Sequence, residues 1–306
     1  MKSFFIFLSK KKFVKNLIEK FPPSKKLVQR FVSGENLQDA LKVIKKLNSE
    51  NIMATIDYLG ENVQNEDDAI KSCSCYLEIL EKIKEENVNS NVSIKLTQMG
   101  LDIGEDFCYQ NVKRIVKKAN EIKNFVRIDM ESSLYTQKTI NIYKKLREEF
   151  PENVGIVLQA YLYRTEKDLI ELFKNSFLNV RICKGAYKEP KSIAFPKKRD
   201  VDENFKKILK ICFENIDRVY PAIATHDEKI IEWACSYVNE NKIPIEKFEF
   251  QMLYGIRHDL QTKLSQKGYR VRVYVPFGKE WYPYFMRRLG ERPANLLFIL
   301  KNLFKG

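Results

Sequence analysis

Eight short β-rich runs separated by helix-patterned segments constrain this chain more than any other feature. The runs fall at 52–57, 92–96, 126–130, 154–159, 180–184, 221–225, 248–252 and 271–275. Between them, segments such as 66–85, 107–123 and 133–149 place apolar residues at helical spacing. Strands that alternate with helices pair in parallel through crossover connections. Eight such units is the number that closes a (βα)₈ barrel of the TIM type. A doubly wound open sheet is the competing architecture.

The polar residues favour closure. Lys95 and Thr97, Asp129 and Glu131, Gln159, Lys184, Thr225 and His226, and Gln251 stand at or just past the C-terminal end of a run. Buried strand interiors are expected to be apolar, and chemistry on a barrel collects at the C-terminal rim. One polar strand end means nothing, but a series of them predicts a single rim-mounted site.

The region before the first run divides the chain into an N-terminal helical arm, 1–48, and a barrel domain, 49–306. In the arm, Phe13, Leu17, Ile18 and Phe21 are helically spaced up to Pro22 and Pro23. Leu27, Val28 and Phe31 continue the pattern, and Leu37, Leu41, Ile44 and Leu47 form another amphipathic stripe. The apolar run Phe4, Phe5, Ile6, Phe7 and Leu8 is too short for a signal h-region or a membrane span. A cytoplasmic protein, at most peripheral at the inner face of the membrane, is expected.

At 306 residues, with 44% hydrophobic residues, the chain can build a real core, and 11 Gly and 10 Pro argue against a low-complexity one. Cysteines 73, 75, 108, 183, 212 and 235 form no CxxC pair, and His226 and His258 lie far apart, so the tight spacing of structural zinc is missing. Reduced, mostly structural thiols are expected. The net charge of +14 has three readings. One is a lysine-rich solvated surface and another is attraction to anionic lipid. The third, nucleic-acid binding, would need basic residues clustered with aromatics on one element, whereas acidic residues are interspersed throughout.

Two segments carry further chemistry. In Arg181-Ile182-Cys183-Lys184-Gly185-Ala186-Tyr187, the small pair after the lysine lets backbone amides approach an anion that Lys184 would neutralise. Taken alone, the segment is equally a strand end with a tight turn. In Tyr284-Phe285-Met286-Arg287-Arg288-Leu289-Gly290-Glu291-Arg292, Tyr284 and the two arginines share a helix face, and two guanidiniums beside a tyrosine suit the carboxylate of a small acid. The plain alternative is a solvated basic helix end with Glu291 paired to Arg287 or Arg288.

Taken together, these stretches resemble the flavin-dependent proline dehydrogenase family. The match runs in order through Asp57-Tyr58-Leu59-Gly60-Glu61, Lys95-Leu96-Thr97-Gln98-Met99-Gly100-Leu101, Ile128-Asp129-Met130-Glu131 and Leu158-Gln159-Ala160-Tyr161-Leu162. It continues through the Arg181 segment, Ala224-Thr225-His226, Phe250-Gln251-Met252-Leu253-Tyr254-Gly255, Arg272-Val273-Tyr274-Val275-Pro276-Phe277-Gly278 and the Tyr284 block. The length resembles the stand-alone enzymes.

The resemblance implies a distorted (βα)₈ barrel holding FAD. The implied reaction takes L-proline to Δ1-pyrroline-5-carboxylate by hydride transfer to flavin N5, with the electrons passed to a membrane quinone. Lys95, Arg287 and Arg288 would hold the substrate carboxylate, and Tyr274 and Tyr284 would wall the proline ring. Asp129 would set the charge balance near Lys95, and Arg181 would lie near the flavin. Met130, Gln159, Lys184, Gly185, Ala186, Thr225, His226 and Glu291 would contact the cofactor, and Glu61 would close an ionic gate with an arginine. No metal is implied. Asp227 stands where an asparagine is common, which leaves one cofactor contact in doubt.

Two other functions fit parts of the pattern. A Schiff-base aldolase on the same barrel would use Lys184 or Lys95 as nucleophile but leaves the paired arginines unexplained. A non-enzymatic basic binding module leaves the rim residues without purpose.

Overall fold

The computed structural model describes residues 28–291. The apolar run 4–8, Lys10, Lys11 and Lys12, and the face formed by Phe13, Leu17 and Phe21 lie outside the described residues, as does the side chain of Glu291. Helix α1 (Leu37–Ser49) leads into β1 (Met53–Tyr58), α2 (Glu66–Glu85), β2 (Ser90–Ile94), α3 (Glu105–Glu121), β3 (Val126–Ile128), α4 (Ser133–Glu149) and β4 (Val154–Gln159). The chain continues through α5 (Thr165–Phe173), β5 (Leu178–Cys183), α6 (Lys198–Glu214), β6 (Val219–Ala224), α7 (Glu228–Glu240), β7 (Glu249–Leu253), α8 (His258–Gln266), β8 (Val271–Phe277) and α9 (Trp281–Glu291). The strands pair in parallel in chain order, and β8 returns to β1 with Thr55 beside Tyr274. The open sheet is thereby excluded, and the barrel is closed.

Local chemistry explains the elements. The N-cap side chain of Asn65 accepts from the Asp68 N–H at 2.9 Å. Glu66, Asp67 and Asp68 then occupy the positive end of α2, with Lys82 and Lys84 at its negative end. The apolar stripe of α1 buries Leu41, Ile44 and Leu47 in the same core as the strands. Segments 66–85, 133–149 and 154–159 coincide with their elements, while the runs at 92–96, 180–184 and 221–225 lie one or two residues late. Strand starts such as Ser90, Asn91 and Asn179 are polar yet join the ladder. Lys95, Lys184 and Thr225 leave it at the far end.

The apolar core lies between strands and helices. Ala54, Ile56, Val92, Ile94, Val126 and Ile128 face outward onto α2, α3 and their neighbours. The barrel axis, expected to be apolar, is instead lined with polar groups. Hydrogen bonds that span non-adjacent strands must cross the lumen. Arg181 on β5 reaches Ser93 on β2 at 3.0 Å, and Tyr274 on β8 reaches Asp129 after β3 at 2.7 Å. Deeper still, Arg272 pairs with Glu249 at 2.8 Å and 3.2 Å and donates to the Ala54 carbonyl at 2.8 Å.

A second apolar cluster forms at one side of the barrel mouth. Phe31 and Val32 pack with Leu59, Ile256 and the α9 residues Trp281, Tyr282, Phe285 and Leu289, and the rings of Phe31 and Phe285 lie 6.2 Å apart. Gly255 permits this approach. Its φ is +73°, and a Cβ there would stand 1.5 Å from the Arg30 carbonyl oxygen. Ser33 is tied to β8 by its N–H and hydroxyl, each 2.9 Å from the Pro276 carbonyl.

The lumen pair generates a stability prediction. Burial pushes the Glu249 carboxyl up, but Arg272, joined by Gln251 and Arg127, outweighs burial and holds it down at about 2. Glu249→Ala strands a buried guanidinium, which costs roughly 3–5 kcal/mol. Combining Glu249→Leu with Arg272→Met removes both charges and is expected to restore most of that stability. Urea denaturation of the three proteins measures it; a double variant no more stable than Glu249→Ala contradicts the account.

Candidate active site

The strand ends converge on one buried cluster at the C-terminal mouth. Lys95, one residue past β2, places its Nζ 2.8 Å from Asp57 Oδ1 on β1 and 3.4 Å from the Tyr274 hydroxyl on β8. Asp129, one residue past β3, accepts from Arg181 at 2.6 Å on one oxygen and from Tyr274 at 2.7 Å on the other. The Arg181 guanidinium also donates to Gln251 and stacks 5.3 Å from the Tyr274 ring centroid. Five strands therefore fix one hydrogen-bonded unit of two cations, two carboxylates and a phenol.

Burial alone would push the Lys95 ammonium toward neutrality. The carboxylates of Asp57, Asp129 and Glu61 outweigh that effect and hold it above the usual lysine value. Tyr274 is raised well above an ordinary phenol by burial and then by Asp129 and Asp57, so it remains a donor. The second oxygen of Asp57 is buried without a hydrogen-bond partner.

Beside this unit stands an ion pair. Arg287 on α9 donates to Glu61, in the loop after β1, through both terminal nitrogens at 2.9 Å and 2.6 Å. This bidentate geometry is the strong form of the contact. Burial raises the Glu61 carboxyl, but Arg287, followed by Lys95 and Arg288, brings it below its ordinary value. Arg288 lies over the Tyr284 ring, 5.2 Å from its centroid, and Tyr284 is buried. Glu61 thus pairs with Arg287, the partner that the sequence alone also allowed to Glu291.

The other predicted residues line the β4–β7 side of the mouth. Gln159 donates to the Met130 carbonyl at 3.2 Å, while its own side-chain oxygen is buried and accepts no hydrogen bond. Gly185 has φ +107°, and a Cβ there would stand 2.3 Å from the Tyr161 ring, so this backbone lies flat on an aromatic face. Ala186 follows it in the same loop. Lys184 bridges Asp227 at 2.7 Å and Asp202 at 2.5 Å. Burial would raise Asp227, but Lys184 and Lys198 hold it at about 2. The Asp227 N–H donates to the Thr225 hydroxyl at 3.1 Å, and His226 Nε2 accepts from the Leu253 N–H at 2.9 Å.

Some participants escaped the sequence analysis. Asp57 stood in a quoted motif without a role, and Ser93 and Asp202 were not singled out. Thr55 and Asp57, Ser93 and Lys95, Arg127 and Asp129, and Glu249 and Gln251 are polar pairs two residues apart, within a strand or one residue past it. That parity signal marks the lumen face. Among the described residues no group of His, Cys, Asp and Glu is arranged to hold a metal, and no helix is long and apolar enough to cross a membrane.

A closed parallel barrel with a charged, rim-mounted cluster defines an enzyme-like (βα)₈ site. The proline dehydrogenase family model matches residues 40–301. Proline dehydrogenase 2 of Bacillus subtilis is 43% identical over 305 residues, covering 99% of each chain. Proline dehydrogenase of Deinococcus radiodurans is 39% identical over 285 residues, covering 92% of this chain and 91% of its own. Proline utilization A from Bdellovibrio bacteriovorus, solved after inactivation by N-propargylglycine, superposes with a TM-score of 0.82 at 26% identity; the match covers 87% of this chain and 32% of that one. The chain belongs to the proline dehydrogenase family of oxidoreductases.

Glu131 makes a separate prediction. Both of its oxygens accept from Thr97, from the N–H at 3.0 Å and from the hydroxyl at 2.6 Å. Burial nevertheless pushes the carboxyl up from 4.5 to about 7. A raised value means the native state prefers the proton, so this stabilisation is fully present below 4.5 and lost as the pH rises through about 7. The change amounts to about 3 kcal/mol. The stability difference between wild type and Glu131→Gln should therefore vary with pH across this window, and a constant difference from pH 5 to 8 contradicts it.

Proposed function

We propose that this chain oxidises L-proline to Δ1-pyrroline-5-carboxylate with FAD as cofactor and passes the electrons to a membrane quinone. The observation that carries the reading is the buried unit of Lys95, Asp129, Arg181 and Tyr274 beside the Arg287–Glu61 pair. An aldolase lysine must be neutral to attack a carbonyl. Lys95 is held protonated, and Lys184 lies between two carboxylates, so neither suits that role.

The donor set fits a flavin. The unsatisfied oxygen of Gln159 offers an acceptor, and Gly185 packs its backbone against the Tyr161 ring without a Cβ, which shapes the loop beside the strand ends. Met130, Gln159, Lys184, Gly185, Ala186, Thr225, His226 and Glu291 would hold the cofactor. When bound, FAD supplies the hydride acceptor. Asp227 is engaged with Lys184 and Lys198, so in this chain it acts on the cofactor side through those lysines.

The chain's own residues bind, orient and enclose. Lys95, Arg287 and Arg288 clamp the carboxylate of proline, and Tyr274 and Tyr284 wall its ring. Asp129 anchors both Arg181 and Tyr274, so the wall and the cation keep a fixed spacing. Oxidation needs the amine lone pair, and burial in a closed pocket disfavours the ammonium form. Glu61, paired with Arg287, gates the mouth, and closure strengthens every charged contact by excluding water.

Purified protein is expected to show flavin absorbance that bleaches on anaerobic addition of proline. Arg287→Ala and Arg288→Ala should each lose about tenfold or more in kcat/KM, mainly through KM, with flavin retained. Unchanged proline kinetics in both variants would falsify the clamp assignment. The net charge of +14 supports contact with anionic membrane, where quinone resides. Salt-sensitive co-sedimentation with anionic vesicles, weakened by removal of residues 1–21, is the corresponding measurement; equal recovery in the supernatant at low salt removes the membrane contact.

A further inference from the structure

The loop after β1 carries Glu61 and is pinned to the segment after β2. The Asn62 N–H donates to the Thr97 hydroxyl oxygen at 3.2 Å, and the Val63 N–H donates to the Thr97 carbonyl at 3.3 Å. Gln98 adds a bond from its side-chain nitrogen to the Tyr58 carbonyl at 3.0 Å. Asn62 is held with φ at 53°, in the left-handed region, so the chain turns sharply beside Glu61.

Thr97 is fully buried, and its hydroxyl has one proton. That proton is directed at Glu131 Oε2, 2.6 Å away, while the Thr97 N–H is directed at Oε1. A hydroxyl that donates to a carboxylate must turn a lone pair elsewhere, and here it meets the Asn62 N–H. Among the described residues no cation comes within ion-pairing distance of Glu131. A nearly buried carboxyl held by one threonine costs folding free energy, so stability alone does not explain the arrangement. Neither Thr97 nor Glu131 belongs to the clamp or to the cofactor contacts.

We propose that Thr97 and Glu131 are positioning residues for the gate: Glu131 orients the Thr97 hydroxyl, and that hydroxyl holds the Asn62 backbone so that Glu61 meets Arg287. The proposal rests on the reading of Glu61–Arg287 as a gate. It makes Thr97 act through Glu61 alone, which a merely structural role would not.

A double-mutant cycle in the full-length, flavin-loaded enzyme tests it. Glu61→Ala is expected to lower kcat/KM for proline by about tenfold. Thr97→Val, which keeps shape but loses the hydroxyl, should lower it at least roughly threefold without loss of flavin. The combined variant should lie within about twofold of Glu61→Ala alone, and Thr97→Ser should behave as wild type. If Thr97→Val does not fold, Glu131→Gln replaces it in the cycle; its amide donates to the Thr97 oxygen and turns the hydroxyl proton toward the Asn62 N–H. Effects that multiply in the combined variant, or wild-type kinetics for the Thr97 or Glu131 variant beside an impaired Glu61→Ala, overturn the proposal alone. A silent Glu61→Ala removes the gate reading and the proposal with it.

Discussion

Charges inside a closed barrel must find partners inside it. In the usual (βα)₈ fold the axis is filled with layers of branched apolar side chains. Here the axis carries Lys95 with Asp57, Arg181 with Asp129 and Arg272 with Glu249, and each pair joins different strands. Removing one member of such a pair leaves an uncompensated charge where water cannot reach. The barrel therefore has two interiors. An apolar shell between strands and helices supplies stability, and a polar axis positions the reactive end.

The lower pairs explain how the upper unit stays in place. Glu249 receives both Arg272 and the side-chain nitrogen of Gln251, and Gln251 in turn receives Arg181. Arg181 passes the constraint to Asp129 and Ser93, and Asp129 passes it to Tyr274. An arginine whose other donors are fixed by packed strands has little freedom to follow a passing carboxylate. Positioning on strands rather than on loops gives the site its precision.

The alternation of strands and helices made the barrel legible, because periodicity is written into the chain at every turn. The rim residues were legible for the same reason: a polar side chain ending an apolar run needs an explanation. The lumen was harder. Arg127, Glu249 and Arg272 lie within or at the start of apolar strands, and an expectation of apolar interiors passes over them. Only the closed geometry shows that residues two apart on different strands meet across the axis. The Lys184–Asp202 contact joins a strand end to the following helix, and no local spacing encodes it. Nor could spacing decide between Glu61 and Glu291 as the partner of Arg287, since one choice is local and the other depends on barrel closure.

The cluster of Phe31 and Val32 behind α9 has a practical meaning for where the catalytic unit begins. The family match starts at residue 40, and every strand lies beyond that point. A chain shortened to that boundary would keep the whole barrel and still lose the two side chains that wedge against Phe285 and its neighbours. The helix bearing Arg287 and Arg288 would then have an exposed apolar back. A barrel cut at the family boundary would therefore lack the short segment, upstream of the first strand and its preceding helix, that braces this helix.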